Sequence, residues 1–306
     1  MRGAKATSSI RDTNDLPAAI AAYTESIRLD PRYALAFAAR SLALSIVAQQ
    51  ANTGAAVREA LHEAQADVRQ SLALAPDLAQ AHLALAVVSG SSLEFTQASE
   101  EYERALALGP GNAELLRNSG LFEAWMGHFD AGLAAARRAA VLDPLARDSH
   151  YLLGRALYAA RRYEEAVAAF GEVISLDPDY KGTYGWRGIA YYALGDPQSA
   201  RASCETHPDH WLSQWCLSVA YDKLGRHADA EAVLSKMKLA LGNTGAYQYA
   251  TIYAQWGNQA KALEWLETSW RLRDPGLNYV KTDTLLDPLR QEPRFKAIER
   301  ELMFPT

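Results

Sequence analysis

The sequence predicts an all-α solenoid of stacked antiparallel helix hairpins: about seven full repeats, a half repeat before them and a C-terminal capping helix. Three observations predict it. Prolines recur at a fixed period, glycines fall midway between them, and the intervening segments are rich in strong helix formers without long β-branched alternation. At 306 residues the chain exceeds one ordinary single-core domain, which leaves two globular domains or an array that grows by stacking.

The prolines act as a ruler because proline cannot continue a helix and falls in the turn between helices. Leu29-Asp30-Pro31, Leu74-Ala75-Pro76, Leu108-Gly109-Pro110, Leu142-Asp143-Pro144 and Leu176-Asp177-Pro178 place it at successive spacings of 45, 34, 34 and 34 residues. Two helices in such a unit must meet at a tight turn, and Gly127, Gly195, Gly225 and Gly257 stand where that turn is due. The elements follow in order: a lone second helix over 15–29, hairpins over 34–76, 79–110, 113–144, 147–178, 181–208, 211–242 and 243–275, and a closing helix within 285–302. In that last helix Phe295, Ile298 and Leu302 share one face.

Two units depart from the frame. The first spacing is longer near Gln49–Gly54, which predicts either a longer loop or extended helices. The unit ending at Glu205–His210 has a second helix shortened by roughly two turns, which predicts a smaller stacking surface there. The array also begins on a second helix, so either Met1–Asn14 forms a degenerate first helix or the natural chain continues upstream.

In the unit with the fullest pattern, Leu153-Gly154, Leu157, Ala166, Phe170 and Pro178 alternate small and bulky residues. Tyr184, Gly188, Tyr191 and Ala200 follow in the next, and Leu85-Ala86, Ala98, Tyr102, Ala105 and Pro110 in an earlier one. These positions resemble the tetratricopeptide repeat. The resemblance implies a right-handed superhelix whose first helices line a concave groove that binds a protein or peptide partner. Carried over position by position, it names Arg117, Asn118, Leu121 and Trp125, then Asp148, Tyr151, Arg155 and Tyr158, as groove residues. It adds Trp186, Ile189 and Tyr192, then Trp215, Val219 and Asp222, then Tyr247, Gln248 and Thr251. The aromatic members would anchor a partner, and Arg117 and Arg155 would orient its acidic groups. The clamp with which chaperone-binding relatives hold a terminal carboxylate corresponds to Leu83, Val87, Asn118, Asp148 and Leu152. Only Asn118 fits it.

The tail Leu286-Asp287-Pro288-Leu289-Arg290, followed by Pro293-Arg294-Phe295, resembles the closing segment of tetratricopeptide regions joined to bacterial winged-helix regulators, cyclases or kinases. That implies an alternative role as the sensor region of a larger signalling protein. Self-association through the first helix, near Leu16, Ile20 and Ile27, is compatible with either role.

Composition excludes other classes. The formal charge of −5 comes from 31 basic and 36 acidic residues without like-charge blocks, so no nucleic-acid footprint is present. Neither a phosphate loop, a nucleophile elbow nor an HExxH motif appears, which argues against an enzyme or a cofactor. His207 and His210, with Asp209 and Cys204 nearby, read as a polar turn rather than a metal site. Cys204 and Cys216 stand 12 residues apart across that turn, where a bridge is geometrically conceivable, but they are expected as free buried thiols in a reducing cytosol. Without an 18-residue apolar run or a leader-like hydrophobic stretch, the sequence predicts no membrane insertion and a cytoplasmic location.

Overall fold

The computed structural model describes residues 16–50 and 54–305, so Met1–Asn14 lies outside the described residues. Those residues are helical, with no strand among them. Helix α1 spans Leu16–Leu29; α2 (Ala34–Gln50) pairs with α3 (Gly54–Leu74), and α4 (Ala79–Ser91) with α5 (Phe95–Leu108). Then α6 (Ala113–Trp125) pairs with α7 (Phe129–Leu142), α8 (Arg147–Ala159) with α9 (Tyr163–Leu176), and α10 (Gly182–Ala193) with α11 (Pro197–Cys204). The series continues with α12 (Trp211–Lys223) and α13 (His227–Leu241), then α14 (Ala246–Gln255) and α15 (Gln259–Leu272). Two 3₁₀ turns, Pro275–Tyr279 and Thr284–Leu289, lead to α16 (Pro293–Glu301).

The turn inside each hairpin needs one left-handed residue. Gly127 and Gly195 supply it at φ +88° and +82°, where a Cβ would crowd the backbone. Leu93 and Arg161 take the same conformation at φ +60° in the corresponding turns, so the stacked geometry overrides local preference there. Alanines on both helices of the hairpins are fully buried: Ala84, Ala98, Ala124, Ala136, Ala156, Ala166, Ala190 and Ala200 are 0% exposed. Small residues at these positions let the helix axes come together, and the larger neighbours fill the grooves.

The departures from the frame have different causes. The extra length in the first hairpin lies mainly in its helices, since α2 has 17 residues and α3 has 21, against 13 and 14 in α8 and α9. At the short unit, α11 has only 8 residues, with Pro197 in its first turn and the Asp196 side chain accepting from the Ser199 amide. The expectation of free thiols fails here. Cys204 and Cys216 form a disulfide because α11 ends early enough to bring its last residue over α12, and Gly188 leaves room for both sulfurs. A Cβ at that glycine would lie 2.1 Å from one Sγ and 2.5 Å from the other.

At the N-terminal end Leu16, Ala19 and Tyr23 are buried. Leu16 therefore faces inward, and the apolar surface offered for self-association is narrower than the sequence suggests.

The C-terminal end does more than cover the last hairpin. One apolar core joins Leu83, Phe95, Phe122 and Met126 to Tyr247, Leu277, Val280, Leu286, Leu289 and Phe295. Phe304 also stacks on Phe95, ring centroids 5.0 Å apart. The solenoid thus turns far enough for its tail to return to the inner side of the early hairpins.

Candidate functional site

The inner wall is built from the first helix of each hairpin, and the segment from Asp274 to Glu292 crosses it as a strap. Its contacts are specific along its length. Lys281 Nζ donates to the Met126 carbonyl at 2.6 Å, at the C-terminal end of α6 where exposed carbonyls attract a cation. Arg273, just before the strap, donates to the Ser92 carbonyl. Tyr279 packs against Trp125, Trp186 and Tyr247 at centroid distances of 4.9, 5.7 and 6.1 Å. Arg161 makes a two-pronged ion pair with Asp287, both N···O distances 2.7 Å.

Asp283 is the strap's buried polar centre. Its carboxylate accepts from the Tyr158 hydroxyl at 3.1 Å, the Tyr247 hydroxyl at 2.9 Å and the Leu285 amide at 2.9 Å. Burial pushes its pKa up, against the lowering effect of those donors. Asp274 caps the first 3₁₀ turn, accepting from the Gly276 amide at 2.8 Å and the Tyr247 amide at 3.1 Å. Burial raises its pKa to about 6. For Asp287 burial also acts upward, but Arg161 and Arg290 together hold it below the usual carboxylate range.

The part of the wall that the strap leaves open encloses a cavity of about 1050 Å³. Arg117, Asn118, Trp125, Tyr151 and Arg155 line it from α6 and α8, and Trp186, Trp215, Tyr247 and Gln248 from α10, α12 and α14. Of the groove residues implied by the sequence, Ile189, Val219, Asp222 and Thr251 do not border it, and the structure divides the roles of others. Tyr158 lies under the strap, 3% exposed. Tyr192 donates its hydroxyl to Gln255 at 3.0 Å, and Gln255 donates in turn to the Leu285 carbonyl. Neither borders the cavity. Trp215 is 2% exposed and donates to Thr251 Oγ1 at 2.8 Å, so it joins adjacent hairpins more than it presents a surface.

Sequence reasoning missed Asn278 and Tyr279 on the strap, and Tyr180 and Lys181 at the mouth of α10; all four line the cavity. Tyr180 carries the Arg147 guanidinium 4.0 Å from its ring centroid, and Arg147 is also paired with Asp148 and Asp177. A signal for the strap existed in the acidic residues Asp274, Asp283 and Asp287, spaced through a stretch with no helical periodicity.

The His207–His210 turn is structural. His210 Nδ1 accepts from the Leu212 amide at 3.2 Å, which caps α12, and His207 meets the Tyr184 ring edge-on at 4.7 Å. Among the described residues no group of three or more His, Cys, Asp or Glu side chains could hold a metal ion. No helix among them is long and apolar enough to cross a membrane.

Successive helix hairpins, stacked through small residues around a concave wall, define a helical-repeat solenoid. The repeat itself is matched by sequence models of the tetratricopeptide repeat at residues 126–181 and 187–246, and at 157–210. Residues 126–246 of the chain therefore carry tetratricopeptide repeats. Over 88 residues it is 30% identical to small glutamine-rich tetratricopeptide repeat-containing protein 2 of Mycosarcoma maydis, covering 29% of this chain and 25% of that protein. Over 159 residues it is 26% identical to the mitochondrial import receptor subunit TOM70 of Rattus norvegicus, covering 52% of this chain and 25% of that one. The matched stretch thus spans a quarter of the length of either relative. Among solved structures, the Cut9–Hcn1 hetero-tetramer of the APC/C superposes with a TM-score of 0.62 at 14% identity, over 94% of this chain and 52% of that one. The type IV pilus biogenesis factor PilW does so at 0.52 and 16%, over 64% and 92%. These last two likenesses show the fold.

Proposed function

We propose that this chain is a non-catalytic scaffold that holds a segment of a partner polypeptide in the cavity between the inner wall and the strap. The observation that carries the reading is the wall itself. Trp125, Tyr151 and Leu152 offer rigid apolar contact beside Asn118 and Gln248, the mixture that gives hot-spot contacts at small entropic cost. One sequence relative is an import receptor subunit, a binding description rather than a catalytic one. The signalling alternative rested on the tail, whose Leu286, Leu289 and Phe295 serve the chain's own core.

The test is an array of overlapping peptides probed with the wild-type chain and with Leu152→Arg, a change to a half-buried cavity residue. Wild type should retain a subset of peptides that the variant loses. Equal retention by both would remove the cavity as the binding surface.

For location, cytoplasmic residence and the Cys204–Cys216 bridge pull in opposite directions, because the cytosol keeps thiols reduced. Mass analysis of the chain alkylated directly in cells separates them. Two alkylated cysteines support the cytoplasm, and an unmodified pair supports an oxidising compartment.

A further inference from the structure

We infer that the cavity is a receptor for a carboxylate carried by a short peptide segment, seated on the guanidinium of Arg155. The inference rests on the scaffold reading above and adds to it the chemistry of the partner.

Arg155 rises from the middle of α8 into a box of aromatic rings. Its guanidinium carbon lies 5.2 Å from the Trp125 centroid, 5.3 Å from Trp186, and 5.5 Å from both Tyr151 and Tyr279. Among the described residues no carboxylate stands within 4.0 Å of it. One terminal nitrogen donates to the Tyr279 hydroxyl, and Nε has no hydrogen-bond partner. The neighbouring arginines differ: Arg147 is paired with Asp148 and Asp177, and Arg117 stands 3.6 Å from Glu114. A guanidinium withdrawn from water needs more than aromatic faces to offset its desolvation. A carboxylate meeting its fork offsets the remainder.

Two further polar atoms narrow the ligand class. Trp125 Nε1 is a buried donor without a partner, and Asn278 Oδ1 is a buried acceptor without one; both residues border the same cavity. A donor on a ring that the guanidinium faces at 5.2 Å suits a carboxylate, and an acceptor on the strap suits the N–H of a peptide backbone. Asn278 comes from the strap, so the full set exists only with the strap in place. The volume of about 1050 Å³ suits a segment of a few residues. Arg155 is not one of the clamp positions Leu83, Val87, Asn118, Asp148 and Leu152, of which the last four line the same cavity and offer one amide and no cation.

Calorimetry with three N-acetylated tetrapeptides of one parent sequence tests this on the whole chain. One carries a glutamate side chain and an amidated end, the second a glutamine and a free carboxyl end, and the third is neutral. At least one acidic peptide should bind about tenfold more tightly than the neutral one. Whichever acidic form wins identifies a side-chain or a terminal carboxylate. The advantage should vanish in Arg155→Met, fall below about threefold in Arg155→Lys, which keeps the charge but not the fork, and shrink for wild type as salt is raised. The salt series needs no variant and stands if Arg155→Met does not fold. Equal affinity for the three peptides in wild type, or a salt-independent preference, overturns the inference. In that case the Leu152→Arg array result still decides the scaffold reading separately.

Discussion

Tyr151 and Tyr158 stand on the same helix, α8, and the repeat pattern treats both as inner-wall residues, yet they meet different surroundings. Tyr151 borders the cavity, packing on Phe170 and Tyr180 at centroid distances of 6.1 and 5.1 Å. Tyr158 is sealed under the strap and spends its hydroxyl on Asp283. One wall thus has a half committed to the chain's own tail and a half left open. The difference teaches that position within a repeat fixes which way a side chain points, and the path of the tail fixes what it meets.

The largest effect should come from Asp283→Ala. It strands two tyrosine hydroxyls and one amide in the core, at roughly 1–3 kcal/mol for each unsatisfied group. A loss of about 4 kcal/mol in denaturant unfolding is expected, and a change below about 1 kcal/mol would mean that the strap does not seat on α8 and α14. Next, Asp274→Asn should stabilise the chain by about 2 kcal/mol at pH 7. Its folded pKa, about 6, lies above the unfolded carboxylate value near 4. The folded state therefore binds the proton more tightly, and wild-type stability rises as pH falls through 6. The asparagine variant should lose that rise, so its melting temperature exceeds wild type at pH 7.5, by about half as much in free energy at pH 5, and converges with it only below about pH 4.

A smaller effect is expected for Tyr158→Phe, about 1 kcal/mol, because Asp283 keeps Tyr247 and the Leu285 amide. Arg161→Ala removes a half-exposed ion pair with Asp287 and should cost about 0.5 kcal/mol, less in high salt. On the open half, Gln248→Ala should change stability by less than about 0.5 kcal/mol while weakening peptide retention on the array. A stability loss there equal to that of Asp283→Ala would erase the distinction between the two halves.

The hairpins were legible because proline and glycine mark turns for local reasons that survive in any context. The inner-wall residues were legible in register, since Arg117, Tyr151, Arg155 and Gln248 reach one cavity. The strap was not. Its 3₁₀ turns carry no 3.6-residue stripe, and Asp283 is a buried acid whose partners lie 36 and 125 residues away. The disulfide ran against expectation for a different reason: a separation of 12 residues allowed a bridge, and the assumed reducing compartment weighed against it.

An open helical-repeat array interacts mainly with nearest neighbours and can fray from either end. The bond from Arg273 to Ser92 spans 181 residues and that from Lys281 to Met126 spans 155, so here the last segment clasps the second and third hairpins. Such a clasp couples distant hairpins into one cooperative unit and raises contact order, which slows folding. A ribbon that would otherwise stretch like a spring becomes a latched coil, whose mechanical resistance depends on the final thirty or so residues rather than on any repeat between them.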